Sequence, residues 1–224
     1  MNKLIKTITD YSKEHIDALN DWYSWREINE EKLPLGIELP KGNQYIKNLS
    51  LKKQLNKCWR ETQDNKVKFE LIEYYISTWG GIRTNSEESM MEYSTLSATQ
   101  LIKLGKKGIA SWSKAIVVHD PDEYAIFDAR VAISLNCIQM IHKLHEPMLF
   151  PILPSRNKKV ALGNKLIRKI AKAKSWTKAY DETFYKQYLN ILKSAANELD
   201  SDISTIEMLL FAKAEELVDK TFPN

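Results

Sequence analysis

The sequence predicts an all-α fold, and two observations favour it. Apolar residues recur at the three- and four-residue spacing of an amphipathic helix along almost the whole chain. Gly and Pro are scarce: each accounts for 7 of the 224 residues, about 3%, against usual levels of roughly 7% and 5%. Few tight turns or glycine-rich loops are therefore available, which argues against a β-sandwich, a barrel or a Rossmann fold.

About ten helices follow from this spacing. In one example, Phe69, Ile72, Ile76 and Trp79 share one helical face, and comparable faces recur towards the C-terminus. The predicted helices span residues 11–28, 43–62, 66–79, 86–93, 97–104, 109–119, 129–145, 163–174, 182–198 and 204–218.

Helix caps support two of these starts. Asn85 with Glu88, and Ser204 with Glu207, have the spacing of a capping box. In that motif the first side chain accepts a hydrogen bond from an amide of the first turn, and the acid bonds back to the cap. We therefore expect helices to begin at both positions.

Prolines mark two helix ends and one connection. Pro121 and Pro147 are natural stops for the helices before them, because proline disfavours helical geometry at the preceding residue. Residues 147–160 are expected to form an extended connection bent by prolines. No internal repeat, low-complexity tract or linker is evident, so the sequence predicts one compact domain over residues 1–224.

Cysteine content and hydropathy indicate the compartment. Cys58 and Cys137 are too few for a zinc ribbon, a four-cysteine iron–sulfur cluster or a disulfide framework. The N-terminus lacks the apolar run of a signal peptide, and no stretch approaches the length of a membrane span. We expect a cytoplasmic protein without membrane contact and without a metal cofactor; His142 and His145 are interpreted as a surface pair.

Charge is distributed unevenly. The chain carries 33 Lys and Arg against 29 Asp and Glu, a formal net charge of +4. Eight cations occur between residues 155 and 176 without an intervening acid: Arg156, Lys158, Lys159, Lys165, Arg168, Lys169, Lys172 and Lys174. A second basic cluster consists of Lys103, Lys106, Lys107 and Lys114. Each cluster alone is equally well explained as a solvated face, but together they favour binding to a polyanion such as nucleic acid.

A glycine turn separates two predicted helices in the middle of the chain. Gly105, Lys106, Lys107 and Gly108 lie between the helices 97–104 and 109–119. Such a turn points amides outward at a helix N-terminus, where a phosphate oxygen is favoured. The alternative is an ordinary helix–helix turn with a glycine C-cap.

Lys114 and Asp128 are the candidate catalytic residues. Lys114 precedes an apolar segment, where loss of hydration would favour a neutral, nucleophilic amine; the alternative is a surface lysine whose stem covers apolar neighbours. Asp128 opens the helix 129–145, where it either caps the helix or faces a developing positive charge.

Three ordered motifs accompany these residues. They are Ser111 to Lys114 (SWSK), Pro121 to Ala132 (PDEYAIFDARVA) and Pro154 to Asn157 (PSRN), all after the basic glycine turn. Over about residues 79–175 the chain resembles the helix-hairpin-helix DNA glycosylase superfamily, and more narrowly bacterial 8-oxoguanine DNA glycosylase-like proteins. The resemblance implies a helix-hairpin-helix element and base removal from double-stranded DNA.

The resemblance also implies roles for individual residues. Asp128 would stabilise the positive charge that grows on the sugar or would activate the nucleophile. Lys114 would attack C1′ and form a Schiff base; otherwise water attacks and an abasic site remains. The turn residues Gly105–Gly108, with a monovalent cation as an option there, would contact the DNA backbone.

Further candidates flank this segment. Arg156, Asn157, Lys158 and Lys159 follow a proline bend and are either a phosphate-binding loop or a solvated one. Three residues are candidates for a base pocket, each with a core or turn position as the alternative: Trp79, Arg83 and Trp112.

The sequence therefore leaves three hypotheses. The first is a DNA glycosylase that removes either an oxidised purine in repair or a bulky modified base in defence against phage. The second is a non-catalytic DNA-binding module of the same fold. The third is an unrelated helical protein whose lysines face solvent.

Overall fold

The computed structural model describes residues 1–25 and 27–223, and within them the predicted all-α class is confirmed. The α-helices are α1 (Asn2–Lys13), α2 (Leu19–Trp22), α3 (Gln44–Glu61), α4 (Asn65–Glu73), α5 (Glu87–Thr95), α6 (Ala98–Ile102), α7 (Ile109–His119), α8 (Ala129–Ile141), α9 (Lys158–Ala173), α10 (Phe184–Glu198), α11 (Ile203–Ala212) and α12 (Ala214–Thr221). A 3₁₀ turn spans Glu30–Lys32, and a π-helical turn, Tyr74–Trp79, continues α4. Two short strands, β1 (Met148–Leu149) and β2 (Thr177–Lys178), pair in parallel.

The chain divides into two compact units. The first unit consists of Met1–Leu19 with Phe127–Asn224, and the second consists of Asn20–Ile126. The single domain over residues 1–224 stays a prediction. No helix in the described ranges is long and apolar enough to cross a membrane.

Helix α7 is the centre of the second unit. It packs against α3, α4, α5, α6 and the π turn. Every residue from Ser111 to Val118 is buried, because the segment is apolar around almost its whole circumference. The polar side chains on this helix must therefore find partners inside the protein.

Helix α8 has the same position in the first unit. It packs against α1, α9, α11 and α12, and residues 131–139 are all buried. Near its start, Arg130 donates to the carbonyl of Phe211 (3.0 Å) and forms an ion pair with Glu215 (2.9 Å). The hydroxyl of Ser134 donates to the carbonyl of Leu210 (2.6 Å). These bonds fix the start of α8 against α11 and α12.

Two buried amides on α8 hold the segment that contains β1. The side chain of Asn136 bonds both backbone groups of Phe150, and Gln139 bonds both backbone groups of Met148. Each amide side chain thus acts like a neighbouring strand, satisfying one N–H and one C=O. The extended connection predicted for 147–160 is correct up to Asn157, which caps α9.

Several predicted helix boundaries are wrong, because packing or a turn sets the end of the helix. The first helix covers Asn2–Lys13 and not residues 11–28, because Leu4, Ile8 and Tyr11 are buried and the helix packs on α10. Helix α8 ends at Ile141, six residues before Pro147, in a turn where Lys143 is left-handed (φ 48°). The predicted helix 204–218 is divided at Lys213 into α11 and α12.

Both predicted capping boxes are also wrong. Ser86, not Asn85, caps α5, and Asp202, not Ser204, caps α11. A capping box is formed instead by Ser97 and Gln100 at α6. Serine, asparagine and aspartate all cap well, so adjacent candidates are not separated by sequence.

Candidate functional site

The glycine turn between α6 and α7 is held from inside the protein. Gly105 and Gly108 are left-handed (φ 59° and 66°). The indole N–H of Trp112 donates to the carbonyls of Gly105 and Lys107, each at 3.1 Å. Since Trp112 has no exposed surface, it lies in the core and fixes the turn.

Gly108 is required where it stands. A Cβ atom there would lie 2.5 Å from the Tyr93 hydroxyl oxygen, and its φ disfavours other residues. Its carbonyl accepts from the amides of Ser111 and Trp112 as α7 begins. Among the described residues, the amides of Gly108 and Ala110 have no hydrogen-bond acceptor, and the lysines of the turn are exposed. This geometry can accept an anion.

Lys114 lies inside the second unit. Its side chain is 4% exposed, and its Nζ donates to the carbonyl of Ala110 at 2.6 Å. The alternative of a surface lysine is therefore wrong. A Cβ atom on Gly80 would lie 2.7 Å from the carbonyl oxygen of Ile76 and 2.8 Å from Cε of Lys114, so the backbone of the π turn and the lysine side chain both require glycine there. The sequence offered no signal for the pairing of Gly80 with Lys114.

A cavity of about 730 Å³ lies in the second unit beside the π turn. Trp79 and Arg83, two of the predicted base-pocket residues, line it, whereas Trp112 and Lys114 do not. The indole N–H of Trp79 donates to Asn48 (2.8 Å), and its ring stacks on Tyr75 with centroids 4.5 Å apart. Trp79 is thus a fixed aromatic wall.

Other lining residues are also held in place. Asn85, which failed as a cap, bonds the hydroxyl of Ser111 on α7 (3.0 Å) and lines the cavity. Tyr74 is 7% exposed, and burial raises its pKa to about 12, so its phenol stays protonated. The sequence did not identify either residue as part of a site.

Asp128 is the N-cap of α8 in the first unit. Its Oδ1 accepts from the amides of Arg130 (2.8 Å) and Val131 (3.1 Å). Both bonds use one of the two carboxylate oxygens, so capping and a chemical role are compatible. Burial, together with the negative charges of Glu207 and Asp128, raises the pKa of Tyr188 well above its ordinary value.

The loop before α9 is partly structural. Asn157 caps α9 by accepting from the amide of Val160 (3.0 Å), and Lys159 forms an ion pair with Asp219 (2.6 Å). Burial would raise the pKa of Glu215, but hydrogen bonds from Arg130 and Asn157 lower it below its usual range. Arg156 and Lys158 are exposed. Of the four predicted residues, these two therefore face solvent.

The candidate residues thus fall into two groups. The second unit holds the glycine turn, Lys114 and the cavity with Trp79 and Arg83. The first unit holds Asp128 and the basic residues at the start of α9. Within the described ranges no cluster of His, Cys, Asp and Glu could hold a metal ion.

Comparison with protein-family models, with curated proteins and with solved structures gives no match to this chain.

We predict that Gly108→Ala destabilises the protein more than Gly36→Ala does. Both glycines have positive φ, but a Cβ at Gly36 meets nothing within 4 Å, whereas one at Gly108 meets the Tyr93 hydroxyl. Overpacking adds about 1–3 kcal/mol to the shared backbone strain. Urea unfolding measures the difference. Tyr93→Phe removes the hydroxyl, so in that background the extra loss of unfolding free energy caused by Gly108→Ala should become smaller. An unchanged extra loss would show that the Tyr93 hydroxyl is not its cause.

We also predict that stability falls between pH 6.5 and 4 because of His119. Its ring stacks on Trp59 with centroids 4.3 Å apart, and burial, assisted by Lys68, lowers its pKa from 6.5 to about 4. The unfolded chain therefore binds a proton that the folded protein excludes, and stability drops by about 1.4 kcal/mol per pH unit across this window, to a total of about 3 kcal/mol. Above pH 6.5 the contribution is constant.

Urea unfolding at a series of pH values tests this dependence. His119→Phe keeps the stacked ring and should flatten the curve, whereas His145→Phe changes an exposed histidine and should leave it unaltered. Equal curves for His119→Phe and the unaltered protein would assign the dependence to other groups.

Proposed function

We propose that the protein is a DNA glycosylase, which flips a modified base out of the duplex and cleaves its bond to deoxyribose. One observation carries the proposal: the order of elements over residues 98–131. A short helix leads to a turn with two left-handed glycines, then to a helix with a buried lysine, and then to an aspartate that caps the next helix. That order is expected of the helix-hairpin-helix glycosylases that the sequence resembles.

The turn would hold the DNA backbone. The unpaired amides of Gly108 and Ala110 stand at the N-terminus of α7, where the helix dipole adds partial positive charge. Lys106 and Lys107 add full charges beside them. Trp112 keeps the turn closed before DNA arrives, so little ordering is needed on binding.

The cavity beside the π turn would receive the flipped base. Trp79 supplies a fixed ring for stacking. Asn85 donates to and accepts from the hydroxyl of Ser111, which leaves one N–H and one lone pair of its amide for a base edge. Acids outnumber cations in its lining, which suits an uncharged ring better than a phosphate: Glu27, Glu73 and Glu87 against Lys32 and Arg83.

The size of the cavity bears on which base is removed. About 730 Å³ lies in the range that encloses a drug-sized ligand, and a bare nucleobase is smaller. The volume has room for a bulky modified base, which we propose as the substrate together with a role in defence against phage; an oxidised purine would fill the cavity only in part. Incubating the protein with duplexes of both kinds, followed by hot alkali to cleave abasic sites, distinguishes them.

Asp128 would supply the electrostatic part of the reaction. As the bond to the base lengthens, positive charge grows on the sugar, and a carboxylate stabilises it or activates the attacking group. The cap fixes the carboxylate through Oδ1 and orients the other oxygen.

Lys114 would decide the product. Its amine is held by Ala110 and covered by Gly80, so attack on C1′ requires the π turn to move away from Cε. Single π turns within helices are frequent at functional sites. If Lys114 stays buried, water attacks and the product is an abasic site without strand cleavage.

A non-catalytic DNA-binding module is the second candidate. The exposed cations along α9 favour it, since they support binding without any chemistry. Base release separates the two functions.

We predict that Asp128→Asn lowers base release about 100-fold or more while leaving DNA binding intact. Asparagine caps a helix as well as aspartate does, so the fold should be retained. Asp202→Asn is the matched control, because Asp202 caps α11 in the same way. Release by Asp128→Asn equal to that of the control would remove Asp128 from the mechanism.

We further predict that borohydride traps a covalent protein–DNA adduct if Lys114 is the nucleophile, and that Lys114→Gln abolishes trapping. Lys52→Gln removes a second buried lysine and controls for the structural effect. Efficient trapping by Lys114→Gln would assign the Schiff base to another amine.

A further inference from the structure

Helix α9 has one packed face and one charged face. Its buried residues are Val160, Gly163, Asn164, Ile167 and Ala171. On the opposite side lie five exposed cations, which we call the α9 basic face: Lys158, Lys165, Arg168, Lys169 and Lys172. At about 100° per residue these five fall within an arc of about 100°, and at 1.5 Å per residue they extend over about 21 Å.

These charges are not neutralised by any described residue. None of the five forms an ion pair with a described residue, whereas their neighbour Lys159 is paired with Asp219. No Asp or Glu occurs between residues 155 and 180. The face therefore keeps its full positive charge.

The positions of these cations destabilise α9. Lys165 with Lys169, and Arg168 with Lys172, are like charges four residues apart, which repel each other. Lys158 stands in the first turn, where the helix dipole is positive and no acid is present. A polyanion would relieve both sources of repulsion, and nothing inside the described chain does so.

We propose that the α9 basic face binds the phosphate backbone of duplex DNA, as a contact separate from the glycine turn. A duplex carries one negative charge per about 1.7 Å of its axis, so a row of cations about 21 Å long meets several phosphates. Lysines on flexible stems act as point charges, which suits backbone contact without base readout. The proposal rests on the proposed function only in taking DNA as the ligand; it does not require base removal.

A membrane surface fits this face less well. An interfacial helix inserts its apolar side into lipid, but the apolar side of α9 is already packed in the first unit. Leu162, at 54% exposed, is the large apolar residue beside the cations. The face thus offers charge with little apolar area.

The test is the salt dependence of binding to a short unmodified duplex, measured by fluorescence anisotropy between about 50 and 200 mM salt. The variant Lys165→Gln/Lys169→Gln/Lys172→Gln should bind more weakly. Its slope of log K against log salt should be smaller by about 2.7, since each lost phosphate contact removes about 0.9. The single variant Lys169→Gln should lose about 0.9.

The matched control is Lys3→Gln/Lys6→Gln/Lys13→Gln. It removes the same charge from exposed positions of α1 in the same unit, and its slope should equal that of the unaltered protein. Equal slopes for the two triple variants would overturn the proposal. Equal affinity for phosphatidylserine vesicles or for polyglutamate at the same salt would overturn the choice of DNA.

The readouts keep this inference apart from the proposed function. If no duplex releases a base but the two triple variants differ in salt slope as stated, DNA binding by the α9 basic face is supported and the glycosylase function is contradicted. If base release occurs and the two triple variants have equal salt slopes, the glycosylase function is supported and DNA binds at a surface other than the α9 basic face.

Discussion

The burial of two apolar helices is the constraint on which the rest of the structure depends. Helices α7 and α8 are each covered by the other helices of their unit, so each polar atom on them must find a partner inside the protein or carry a cost of several kcal/mol. Most of these atoms join segments: Asn136 and Gln139 hold the chain around β1, and Ser111 holds Asn85. These buried polar side chains thus form hydrogen bonds that hold other elements against α7 and α8.

Lys114 is placed differently. Its Nζ donates to the carbonyl of Ala110, one turn earlier on the same helix. The end of the π turn comes close to this side chain: a Cβ atom on Gly80 would lie 2.7 Å from the carbonyl oxygen of Ile76 and 2.8 Å from Cε of Lys114. A buried lysine is costly unless its amine is hydrogen-bonded, so the position of Lys114 requires the Ala110 carbonyl whether or not the amine has a chemical role. Trp112 differs from Lys114, because its indole N–H donates to the Gly105 carbonyl and so joins α7 to the glycine turn.

Periodicity predicted the class and most helices because an amphipathic stripe is a local property of the sequence. It failed at the N-terminus, where the packing of Leu4 and Ile8 decides the helix, and at caps, where neighbouring polar residues compete. The Lys114 and Asp128 motifs were visible since each lies within one segment. Of the cavity lining only Trp79 and Arg83 were predicted, because the lining comes from several segments between Glu27 and Met90 that only tertiary structure brings together.

The two units carry their positive charge on different kinds of structure. In the second unit, Lys106 and Lys107 stand on a turn that is fixed from the core, because the indole N–H of Trp112 donates to the carbonyls of Gly105 and Lys107. In the first unit, α9 carries its cations on a regular helix whose repulsion must be offset by packing and by the cap of Asn157. A rigid turn can place one phosphate accurately, whereas a long cationic face holds a strand at many positions. The glycosylase that we propose would need both properties, because sliding along a duplex depends on loose contacts and chemistry depends on a fixed one.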